Sequence, residues 1–381
     1  MIPVMKPTLG EEEALAVAEA VRSGWVAQGP RVAAFEKAFA ASVGADHGVA
    51  TSNCTTALHL CLYVLGVGPG DEVIVPSFSF IATANAVRYC GATPVFADVD
   101  AETGNLTPET VAAVRTDATK AVMVVHQAGV PADIPALKAS LGGLPLVEDA
   151  ACAAGSTLNG APTGQGALMA AWSFHPRKLL TTGEGGMITT DDEELAARMR
   201  RLREHGMSVS AADRHAAGKA IVESYSETAF NYRMTDIQAA MGLVQLRKLP
   251  AIVARRREIA ARYQELLAPL GLRTVRDPVG ATSNFQSFWV ELPDAAPPVG
   301  DVLAALAEAG VSARRGIMAA HTEPAYAGHP HGPLPVTEHL TTRTLILPVH
   351  HELTEAEQDT VVAALTAAIG LQTAATNFAA H

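Results

Sequence analysis

One lysine and one aspartate in this chain are placed as carbonyl chemistry would need them. Lys178 lies in the run Trp172-Ser-Phe-His-Pro-Arg-Lys-Leu-Leu-Thr-Thr-Gly-Glu-Gly-Gly-Met187, after a strand-like segment and before a glycine-rich loop. Upstream, the acidic pair Glu148-Asp149 closes an apolar strand. An amine on such a loop can form a Schiff base with an aldehyde. A carboxylate at a strand end can keep a pyridinium nitrogen protonated, so that the ring acts as an electron sink. These are the two groups that pyridoxal phosphate (PLP) requires. A Schiff-base lysine is expected to be partly desolvated, with a lowered pKa. Spacing alone leaves a solvent-facing Lys178 as an equal reading, and a helix cap as the ordinary reading of Asp149. The pair is more specific than either residue.

A third segment, Thr51-Ser-Asn-Cys-Thr-Thr-Ala-Leu-His-Leu60, runs hydroxyl and amide side chains straight into an apolar helix. A helix N-terminus offers free N–H groups and a positive dipole end, which suits a phosphate. Taken alone, the segment reads as an N-cap. Gly66-Val-Gly-Pro-Gly70 looks dinucleotide-like but leads into no helix, and is rejected. His329-Pro-His331 and His350-His351 have no further ligands at metal-binding spacing and read as polar loop histidines, so no metal is expected.

The elements that must position these residues alternate. Helical spacing marks Glu11–Arg22 and Arg31–Ala41, and Thr56–Leu65 reads as a buried helix. Short apolar runs follow at Glu72–Val75, Thr93–Ala97, Ala121–Val125 and Leu144–Val147, most of them followed by a helix-like stretch. The pattern predicts an α/β fold with a mostly parallel sheet covered by helices on both faces. Ligands bind such sheets at the carboxyl ends of the strands, which is where Asp149 and Ser77–Phe80 fall. From Met234 to about Leu267 the pattern is helical, broken near Pro250, with Arg255-Arg256-Arg257 on a solvated face. A strand at Phe285–Glu291, a helix near Asp301–Glu308, a strand at Thr344–Leu347 and a helix at Glu355–Ala368 complete a smaller α/β unit. The expected division is a large PLP-binding domain over 1–250 and a small C-terminal domain over 251–381. The tail Leu371–His381 reads as loose.

Composition narrows the partners. With 381 residues, 49% hydrophobic and 18% charged, the chain is globular in type. Its net charge of −11 argues against nucleic acid or a membrane surface as partner. No stretch approaches the roughly 18 apolar residues of a membrane span, and no signal peptide is read at the N-terminus. Cys54, Cys61, Cys90 and Cys152 form no C-x-x-C pair, so a reducing cytoplasm is the expected location.

With these residues in hand, the chain resembles the DegT/StrS-like nucleotide-sugar aminotransferases, a PLP fold-type I family. The resemblance runs from Gly24-Trp-Val-Ala-Gln-Gly-Pro30 to Leu347-Pro-Val-His-His-Glu-Leu-Thr354. It is carried by the segments Gly70–Asn85, Val147–Ala151, Ser173–Lys178, Thr181–Gly186 and Asn231–Gln238. The resemblance implies that Lys178 forms the Schiff base and shuttles the proton, and that Asp149 pairs with the pyridinium nitrogen. It implies that Phe80 stacks on the cofactor and that Thr55, Thr56 and Ser173 hold its phosphate. Asn231 would reach the partner's phosphate, so a homodimer with shared active sites is implied. Arg314, Arg315 and His321 match a segment that family members bring toward the site, and are candidates for substrate contacts. A surface pair is the equal reading of the two arginines.

Two departures stand out. Cys152 occupies a cofactor-side position where the family usually has Gln or His, and cysteine is a poor hydrogen-bond partner. Ala229-Phe230 replaces a common Gly-Tyr. The implied reaction is transfer of an amino group from L-glutamate (or glutamine) to a keto sugar of the nucleotide-linked class. A cyclitol or other non-nucleotide ketone is a live alternative acceptor. A PLP-dependent dehydratase or lyase is disfavoured by the retained Lys178, since the family's dehydratase branch carries histidine there. A non-catalytic PLP sensor would call for a DNA-binding segment, and the sequence gives no room for one before the helix at Glu11.

Overall fold

The computed structural model describes residues 1–209 and 222–370. The tail beyond Gly370 lies outside the described residues. The seven-stranded sheet at the centre has the order His47–Thr51, Gly186–Thr190, Met169–Ser173, Leu146–Asp149, Thr119–Val125, Glu72–Pro76, Thr93–Ala97. Within it, Gly186–Thr190 alone runs against its neighbours, and the other strands are parallel. The strand Thr119–Val125 is apolar and buried along almost its whole length, as a strand covered on both faces must be. On one face pack the helices Cys54–Val64, Ala82–Tyr89 and Glu193–Leu202. The other face carries Phe35, Phe39, Trp172 and Phe174 in edge-on and tilted contact, together with the first half of the long helix Asp236–Leu267.

The sequence reading places Thr93–Ala97, Thr344–Leu347, Glu11–Arg22 and Glu355–Ala368 at their observed bounds. Four expectations are corrected. The helix Asp236–Leu267 runs unbroken through Pro250. Tertiary packing on both sides, with Leu249, Ile252 and Val253 in one core and Ile259, Ala260 and Tyr263 in another, outweighs the missing N–H. Arg256 does not lie on a solvated face but is 2% exposed, its guanidinium donating to three backbone carbonyls. The strand expected from Phe285 begins at Phe288, because Phe285 has a left-handed backbone (φ 48°). His350, read as a polar loop histidine, is likewise buried.

A second sheet, antiparallel, has the order Arg273–Thr274, Phe288–Glu291, Thr344–Leu347, Arg314–Arg315. It shares a core with Val302 and Leu306, with Val361 and Leu365, and with the second half of the long helix. Ala128 and Val130, from the loop beyond Thr119–Val125, join the same core.

Candidate active site

The carboxyl edge of the central sheet gathers the sequence candidates. Asp149 is the last residue of its strand and 5% exposed. It accepts from Thr83 Oγ1 at 2.8 Å and from the Ala151 N–H at 3.2 Å. Burial pushes its carboxyl pKa up, against the pull of Thr83 and of the Lys178 ammonium. Glu148, its neighbour in sequence, points the other way. It takes His126 Nε2 at 2.8 Å and the N–H groups of Gly164 and Ala167, a fully buried structural role. Strand alternation therefore separates the two acids, and only Asp149 faces the site.

Lys178 follows the strand Met169–Ser173 and is half-buried. Its Nζ donates to Cys152 Sγ at 3.1 Å. Burial pulls the ammonium pKa down, but Cys152, Cys54 and Asp149 together outweigh it, and the net shift is upward. The expected lowering is thus corrected: acidic partners surround this amine. Cys152, expected to be a poor partner, is the acceptor for the lysine. Burial, and after it the Asp149 charge, push the Cys54 thiol far up.

The phosphate candidates meet at a row of the sheet. Thr51 pairs with Gly186, and Gly186 with Ser173. Asn53 caps the helix Cys54–Val64 by accepting from Thr56 N at 2.9 Å, and Thr56 Oγ1 closes the capping box by accepting from the Asn53 N–H. Thr56 is thereby committed to the cap. Thr55 carries a hydroxyl with no partner among the described residues. A Cβ on Gly186 would come within 2.5 Å of the Asn53 backbone, so glycine is what lets the helix N-terminus sit on the strand end. Free N–H groups, a hydroxyl, a buried carboxylate and a lysine make a donor set that fits an anionic phosphate at one end and a cationic ring nitrogen at the other.

The remaining candidates surround this centre. Phe80, 57% exposed, lies in the turn leading into the helix that carries Thr83, and its carbonyl accepts from the Thr83 N–H. Asn231 is exposed. Its neighbour Tyr232 accepts from the Ser52 N–H through its carbonyl, which puts this stretch beside the phosphate helix. Arg314 is half-buried, and its Nε is buried with no partner among the described residues. Burial, then the charge of Arg177, hold its pKa down, with Cys152 opposing. Arg315 is exposed and paired with Glu323 at 2.9 Å. His321 is buried, with Nδ1 2.6 Å from Ser77 Oγ and Nε2 3.5 Å from Glu338.

Sequence reasoning missed Thr83, and also Asn284 and Gln286, which bond carbonyls on either side of the Cys152–Lys178 pair. The signal available was the polar run Ser283-Asn284-Phe285-Gln286 at the head of an apolar strand.

A model of the DegT/DnrJ/EryC1/StrS aminotransferase family matches residues 7–366. The aminotransferase TlmJ from Streptoalloteichus hindustanus is 39% identical, over 97% of this chain and 99% of that one, with a TM-score of 0.89. DesI, solved in the presence of its TDP-sugar product, is 34% identical over 97% and 93%, with a TM-score of 0.86. Spr1654 from Streptococcus pneumoniae, in its PMP form, is 28% identical over 97% and 99%, with a TM-score of 0.92.

Proposed function

This chain belongs to the DegT/DnrJ/EryC1/StrS aminotransferase family, and we propose that it moves an amino group from L-glutamate or glutamine to a keto sugar carried on a nucleotide. The observation that carries this reading is the convergence of Lys178 and Asp149 beside one helix N-terminus. The TDP-sugar product of the relative DesI supports the nucleotide linkage.

Bound here, pyridoxal phosphate supplies an electron sink and the carbon that takes up and returns the amino group. The chain's own residues do the rest. Asp149 would hold the ring nitrogen in its protonated form. Lys178 would anchor the cofactor and, once released, its amine would carry the proton that leaves the donor's Cα. The N–H groups at the start of Cys54–Val64, with Thr55 and Ser173, would hold the phosphate, and Phe80 would lie against the ring. Arg314, with an unpaired buried Nε, is the residue suited to a donor carboxylate, whereas Arg315 is already paired. Asn231 of the partner subunit would complete the phosphate site in a homodimer with shared sites.

The test is the half-reaction. The yellow, PLP-loaded protein is mixed with L-glutamate, and the visible band is followed as it gives way to near-ultraviolet absorbance with release of 2-oxoglutarate. Keto-sugar nucleotides should then restore the visible band. Restoration by a free cyclitol ketone alone would move the acceptor to that class. No conversion with any amino acid would refute the transfer reaction.

A further inference from the structure

We propose that Asn284 and Gln286 are positioning residues for the transfer: they bolt the turn that carries Cys152 to the loop that carries Lys178, and Arg256 locks the bolt. The inference rests on Lys178 being the lysine that anchors the cofactor.

The lysine stem is long and flexible, so the place of Nζ depends on two separate backbones. Gln286 Nε2 donates to the carbonyl of Arg177, next to Lys178, at 2.6 Å. Asn284 Nδ2 donates to the carbonyls of Cys152 and Ala154, both at 2.8 Å. The Gln286 N–H donates to Asn284 Oδ1 at 2.8 Å, which joins the two amides into one unit. Three consecutive residues therefore span both halves of the Lys178–Cys152 contact. Both amides are buried, at 1% and 8% exposure.

The unit is strained and held. Phe285, between the two amides, has φ 48°, a region that is costly for a bulky side chain and persists only where surroundings over-determine it. Arg256 provides that. Its Nε donates to the Phe285 carbonyl at 3.0 Å, Nη2 to Gln286 at 2.8 Å and Nη1 to Val349 at 2.9 Å. Burial draws its pKa down to about 9, which leaves it charged at neutral pH. Arg257, the next residue, holds the Ser283 carbonyl at 2.9 Å. Opposite Asn284, Gly129 keeps the space open, since a Cβ there would fall 1.9 Å from Asn284 Oδ1.

A proton carrier displaced by about an ångström loses roughly a hundredfold in rate. The bolt is well placed to prevent that displacement.

Gln286→Glu tests this, because the shape is kept while the ionised side chain has no donor for the Arg177 carbonyl. Gln286→Met removes the donor at every pH and carries the test should the Glu variant fold poorly. We expect both to slow the glutamate half-reaction roughly 10- to 100-fold at neutral pH with the donor's KM little changed. The Glu variant alone should recover as acid protonates it and returns a donor. In cofactor-free protein, hydrogen exchange should quicken at residues 175–180 and 150–156, with protection elsewhere as in the parent. Parental rate and exchange in a folded Gln286 variant would overturn the proposal, as would a loss of protection across the whole chain. Borohydride trapping checks the premise separately, because label on another lysine would sink the role of Lys178 while leaving the exchange result to judge the bolt.

Discussion

Asp149 is placed where its charge is a burden to the cofactor-free protein. Its folded pKa is raised by burial above the unfolded value of about 3.9, so its contribution favours folding at low pH and is lost as pH rises through the folded value. At neutral pH the buried carboxylate weighs against the fold until a cationic ring nitrogen faces it. Asp149→Asn should therefore leave the cofactor-free protein at least as stable at pH 7, with the difference shrinking toward pH 4. The same change should slow the half-reaction by roughly a hundredfold or more, since a neutral amide cannot hold the ring nitrogen protonated. Thermal melts across pH and single-turnover rates check the two halves. A variant less stable than the parent at pH 7 would contradict this account of Asp149. Lys178→Ala should lose the visible band of the lysine-bound cofactor, read in a simple absorbance spectrum.

Among the elements, the strand end at Gly186 and the helix that starts at Cys54 form a single device. A Cβ at 186 would meet the Asn53 carbonyl carbon and oxygen at 2.5 Å, and backbone must give way. Gly186→Ala should lift the helix N-terminus, lower the melt, and weaken cofactor binding roughly tenfold, about 1.4 kcal/mol. Titration of cofactor-free protein with PLP reads it directly, and unchanged affinity would detach this helix from the phosphate. The long helix makes a different demand. Arg256→Met leaves the Phe285, Gln286 and Val349 carbonyls without their donor and should cost about 3 kcal/mol, seen as a lower urea midpoint. Arg256→Lys should rescue little, because an ammonium cannot reproduce the planar fork.

The whole molecule is proposed to work as a dimer. Asn231 is exposed beside the phosphate helix, and the proposed dimer makes it serve the other subunit's site. Lys178→Ala and Asn231→Ala proteins, each nearly inactive, should regain activity when unfolded together and refolded. Each mixed dimer then holds one intact site, giving roughly a quarter of parental activity under random pairing. Mixtures no more active than their parts would refute shared sites. Among the described residues no helix is long and apolar enough to cross a membrane.

The sequence by itself determined a great deal here. Apolar alternation determined the mostly parallel sheet, because strands buried on both faces must be apolar throughout. The runs around Lys178, Asp149 and Thr55 were legible because each pairs a reactive side chain with its local element, a loop, a strand end or a helix N-terminus. What stayed hidden depends on contacts between segments distant in the chain. Arg255-Arg256-Arg257 reads as three charges on a surface, and only the packing of Phe285 and Val349 around the helix makes Arg256 a buried lock. The upward shift of Lys178 follows from three acidic groups contributed by other elements, against a local reading that saw only burial. Pro250 breaks a helix in isolation, and two cores on either side of it hold this one straight through. Local pattern fixes which elements form. The electrostatic and hydrogen-bonding environment of a side chain is a sum over neighbours that only the folded chain brings together.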